Sequence, residues 1–145
     1  MPRVSAAFFL TGGLFVLVGM GIGMWMGGSE DFRIAPAHAH LNLLGWVTMA
    51  LYGTFYALTA KTMRPRLAWT NYTLSTLGVV LIIPSLAYLL ATGSRALMAP
   101  MIVGEVLTVL SLLTFLISVV RELTRSRANE RSGMDVANPM RMAAE

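Results

Sequence analysis

Residues 4–28 read VSAAFFLTGGLFVLVGMGIGMWMGG, a stretch without one charged side chain. A helix needs roughly 20 apolar residues to cross a bilayer core, so this stretch decides the fold class. It exceeds the apolar core of a secretory leader, about 7–15 residues, and no small-x-small cleavage site stands out among its glycines. It reads as a retained first helix. The pattern then repeats. Residues 34–60 and 67–94 carry no charge, and residues 96–120 carry only Glu105.

The composition agrees. Of 145 residues, 56% are hydrophobic and 12% charged, about half the charged share of a soluble domain. Such a chain cannot coat a water-soluble globule. The absence of cysteine excludes disulfides and thiolate ligands. The net charge of +4 lies between the apolar runs and in the tail, which is the topogenic pattern and not a nucleic-acid footprint. The expected fold is an all-α membrane protein, a four-transmembrane-helix up-down bundle over residues 1–123, because each span must satisfy its own backbone in lipid. The helices are expected at about residues 4–28, 36–60, 68–92 and 96–121, with a polar, disordered tail over 124–145.

Lys61, Arg64 and Arg66 fall between the second and third spans, and Arg121, Arg125, Arg127, Arg131 and Arg141 follow the fourth. The positive-inside rule then puts both termini in the cytoplasm of a multi-pass inner-membrane protein. Residues 29–40 lie on the extracytoplasmic side. Gly19 and Gly23 form a G-x-x-x-G pair for close helix approach, within the bundle or to another copy. Gly45 and Gly53 mark a similar stripe on the second helix. Pro84 should kink the third helix, and Pro100 suits the start of the fourth.

The stretch APAHAHLNLLGWV, residues 35–47, holds both histidines of the chain. Pro36 fits the first helical turn. His38 and His40 then point about 200° apart and cannot grip one metal together. His40 shares a face with Leu44, Val47, Leu51 and Leu58, and His38 with Asn42, Gly45, Met49 and Tyr56. By depth, the outer layer also holds Met20, Met24, Trp25, Met26, Tyr88, Met98, Met101 and Glu105. Ionisable groups inside spans point to function, whereas hydrated interfacial histidines would have none. Glu105 is either a neutral acid hydrogen-bonded locally or a partner that orients His38.

Residues 40–58, HLNLLGWVTMALYGTFYAL, resemble the second transmembrane helix of the heme-copper oxidase superfamily's catalytic subunit, as found in nitric oxide reductases and C-type oxidases. The resemblance implies that His40 is an axial ligand of heme b and Asn42 the asparagine of the H-x-N motif, with Arg33 matching the arginine that leads into that helix. It also implies a helix running inward from the outer face. That subunit has many more spans and further histidines, whereas this chain has only His38 and His40. A complete oxidase centre cannot be built from one chain.

Three arrangements would complete a heme site. His40 stands alone with an open sixth position, a methionine (Met24 or Met101) joins it, or a second copy contributes its own His40 across a symmetric interface. Trp25, Trp46 and Tyr52 would pack on the porphyrin, and Arg33 or Arg95 would meet the propionates. The expected function is a short, cytochrome-like heme b protein, a homo-oligomer acting in electron transfer with a redox partner protein or in gas (NO or O2) binding. Copper is the alternative, held by both histidines with Met20, Met24, Met26, Met98 and Met101. A third reading is a non-catalytic subunit or assembly partner. No catalytic triad, carboxylate pair or phosphate-binding loop is present, which argues against an enzyme.

Overall fold

A computed structural model describes residues 1–137, with side chains as far as residue 126. Its described residues form four long helices: α1 (Arg3–Ser29), α2 (Ala35–Leu58), α3 (Pro65–Thr92) and α4 (Met98–Ala137). All four contain a window long and apolar enough to cross a membrane. A multi-pass membrane protein follows from that, and the boundaries fall close to those expected from the charges. α4 continues past residue 121 to Ala137, and residues 138–145 of the expected tail lie outside the described ones.

Breaks between the helices follow local chemistry. α1 ends where Glu30 takes the left-handed conformation (φ 55°), and α3 ends at Gly93 (φ 70°), a position that costs glycine little. Pro36 and Pro65 stand in the first turns of α2 and α3, where the missing N–H is not needed. Pro84 lies inside α3 without interrupting it.

Neighbouring helices run antiparallel. Gly12 of α1 lies where a side chain would meet the Gly45 carbonyl and the Trp46 ring, both 3.2 Å from its Cβ position. A side chain on Gly53 would press into Phe8 at 3.0 Å. α3 and α4 approach through Gly78 and Gly104, where a Cβ on Gly104 would stand 2.9 Å from the Gly78 carbonyl. Small residues let backbones pack closely in lipid, where no water is left to drive apolar surfaces together.

One of two buried apolar clusters lies toward the end carrying Lys61. Val4, Phe8, Met49, Tyr52, Tyr56 and Ala68 are buried there, with Phe115 of α4 packed against them. Phe115 stacks at a tilt on Tyr52, with ring centroids 4.4 Å apart, and meets Phe55 edge-on at 5.1 Å. A buried polar cluster sits beside these rings. Asn71 donates to the Tyr56 hydroxyl (3.2 Å) and accepts from Ser111 (2.6 Å), and Ser111 also meets Ser75. Tyr56 and Ser118 hydroxyls lie 3.2 Å apart, which ties α2 to α4.

One element departs from expectation. α2 is not a uniform α-helix: between the α-helical pieces Ala35–His40 and Met49–Leu58, residues Leu41–Thr48 form a π-helix. Its wider turn bonds each amide to the carbonyl five residues back. The Thr48 hydroxyl repeats that spacing by donating to the Leu43 carbonyl at 2.9 Å. Such segments are rare and occur often at functional sites. This one begins immediately after His40.

Candidate functional site

The approach to α2 is fixed by Arg33. Its guanidinium grips Asp31 at 2.6–3.1 Å and donates to the Ala91 carbonyl at the end of α3 (3.2 Å). These hydrogen bonds hold the exposed Asp31 carboxyl down at a pKa of about 2, from an ordinary 3.8. Arg33 is thus committed to the loop and to α3, a different task from the propionate contact expected of it.

His38 and His40 diverge, as their spacing requires. His38 turns toward α1. Asn42 Nδ2 donates to His38 Nε2 at 3.1 Å, and Gly23 lies where a side chain would meet the His38 ring at 3.2 Å. Gly19 likewise makes room for the Asn42 amide, since a Cβ there would collide with it. The G-x-x-x-G pair therefore serves packing within the chain. His38 Nδ1 and Asn42 Oδ1 are buried with no hydrogen-bond partner.

His40 faces the other way. Its Nδ1–H donates to the Pro36 carbonyl at 2.7 Å. A carbonyl can only accept, so in the neutral ring the proton sits on Nδ1 and Nε2 keeps its lone pair. A backbone carbonyl fixing one nitrogen while the other binds a metal is a recurrent arrangement of ligand histidines.

The imidazole lines a groove of about 470 Å³ between α2, α3 and α4. α2 contributes Pro36, His40 and Leu44, and α3 contributes Ile82 and Leu86. α4 closes the far side with Met101, Glu105, Thr108 and Val109. The wall is mostly hydrocarbon, with one imidazole, one thioether, one carboxylate and one hydroxyl. The Thr108 hydroxyl is already turned to the Gly104 carbonyl (3.0 Å). Glu105 forms no hydrogen bond or ion pair among the described residues.

Of the site residues expected from the sequence, the groove gathers His40, Met101 and Glu105. It does not include His38, Asn42 or Trp46, which pack against α1. Glu105 shares a site with His40, not with His38, its partner in one of the two expected readings. Met24 is 78% exposed on α1 and lines no part of this groove. Met20 is exposed on the same helix, Met26 is buried, and Met98 lines a shallow pocket with Arg95. The methionines thus do not converge on the histidines, apart from Met101. Among the described residues, no three His, Asp or Glu side chains cluster to hold a metal ion. The Asn71–Ser75–Ser111 cluster went unread in the sequence, although three polar residues in otherwise apolar spans were its available signal.

Compared with known proteins, the chain matches no family model, no curated protein and no solved structure.

Proposed function

We propose that this chain is a multi-pass inner-membrane protein that binds heme b through His40 and acts in electron transfer or gas binding. One observation carries the reading: His40 is pinned through Nδ1 to the Pro36 carbonyl and offers Nε2 inside an apolar groove. The groove's volume lies in the range of small-molecule and cofactor sites, roughly 300–1,000 Å³. Its hydrocarbon wall suits a porphyrin face, so the residues present fit the group. Bound there, heme would supply one-electron chemistry or a gas-binding iron.

The chain's own residues do the rest. Leu44, Ile82 and Leu86 would keep water from a bound porphyrin, and the Pro36 carbonyl sets the imidazole's orientation. The Arg33 clasp holds the loop before α2 against α3, which steadies the turn carrying His40. The resemblance of residues 40–58 to a heme-ligating helix supports the same assignment. The positive charges between α2 and α3 and after α4 support cytoplasmic termini, with the groove near the extracytoplasmic face. The side-facing mouth of the groove is compatible with a homo-oligomer and with a redox partner protein.

The test is pigment analysis of detergent-extracted protein from iron-replete cells. Wild type should show a Soret band and a b-type pyridine hemochrome, His40→Ala should lose both, and His38→Ala should keep both. Colourless wild type, bound copper without porphyrin, or full pigmentation of His40→Ala would overturn the proposal.

A further inference from the structure

The groove holds more than one group able to approach an iron. Met101 and Glu105 stand on α4 across from His40, while Met24 lies on the outer face of α1. Helices α2 and α4 run in the same direction and are joined at their far ends, where the Tyr56 hydroxyl meets that of Ser118. At their near ends His40 of α2 and Met101 of α4 border the same groove.

We infer that Met101 supplies the second axial ligand, so that the iron is held between α2 and α4 by one imidazole and one thioether of the same chain. This rests on the heme reading above. The chemistry separates Met101 from its neighbour Glu105. A thioether is uncharged, loses little on leaving water and is an established partner of histidine on heme iron, whereas a carboxylate would have to be desolvated as an anion. The geometry also separates it from a second copy's His40. The far wall of the groove is already formed by this chain's own α4, so a ligand is at hand without an interface.

The consequence is spectroscopic and electrochemical, because a Met/His pair raises the reduction potential. Purified heme-loaded protein should be low-spin and show the far-red sulfur-to-iron charge-transfer band of the ferric form. Met101→Leu should keep the heme, lose that band, turn high-spin and bind carbon monoxide at least tenfold faster. Met101→His should restore the low-spin spectrum at a lower midpoint potential. Met24→Leu, on the outer face of α1, should leave the ferric spectrum unchanged.

Two failures are distinguishable. Colourless wild type removes both the heme reading and this inference. Pigment that depends on His40, yet keeps its spectrum and potential in Met101→Leu, removes the inference alone. The same holds if Met24→Leu abolishes the charge-transfer band.

Discussion

The two ends of the helix set are built on opposite plans. Near Lys61, α2 and α4 are clamped by Phe115 against Tyr52 and Phe55, and by Tyr56 on Ser118. Near Arg33 the same two helices, with Ile82 and Leu86 of α3, line the groove. Large aromatic side chains and bonded hydroxyls fill the closed end. The open end offers a histidine, a methionine and a carboxylate that nothing in the chain ties together. Within the α2–α4 pair, stability and site are therefore segregated, whereas the α3–α4 contact at Gly104 lies beside the groove.

The largest expected effect comes from the α3–α4 contact. Gly104→Leu pushes a side chain into the Gly78 carbonyl and the Ile82 backbone, neither of which can yield. Overpacking of this kind costs about 1–3 kcal/mol and occasionally more. The measurement is thermal unfolding in detergent, and a variant as stable as wild type would refute the close approach. Asn71→Ala should follow closely. It leaves Tyr56 and Ser111 short of a partner, at about 0.6–1.7 kcal/mol per interhelical bond. Its heme content should not change once the protein is folded, and loss of pigment without loss of stability would break the segregation described above.

Val109→Trp strikes the groove alone. The side chain is exposed at the groove wall, so stability should stay within about 0.5 kcal/mol of wild type. Pigment content should fall several-fold, measured as heme per protein. The smallest effect concerns the loop. Asp31 is held at a pKa of about 2 by Arg33, so the contact contributes above the ordinary 3.8 and is lost as the pH falls through about 2. In Arg33→Gln the carboxyl should titrate near 3.8, as read by carbon-detected NMR of Asp31. A midpoint that stays near 2 would mean that another group holds it.

Much of this was legible in the chain itself. The spacing of charges located four spans and the starts of their helices to within a few residues, since a charge inside lipid is too costly to scatter at random. The opposite aims of His38 and His40 followed from helical geometry alone. The π segment did not, because a turn widened by one residue leaves no distinct apolar period in eight residues. The neighbour of Glu105 was hidden for another reason. Which side of α4 faces α2 depends on packing at Gly78 and Gly104, three-dimensional information that local pattern does not contain. Asn71, Ser75 and Ser111 stand singly within apolar runs, and only their meeting gives them weight.

The groove near Arg33 has a consequence for traffic. Pro36, His40, Glu105 and Val109 border it from exposed positions on α2 and α4. Those positions belong to spans, so in a bilayer lipid lies beside them. A flat, greasy cofactor would reach the groove from the plane of the membrane without any span unwinding.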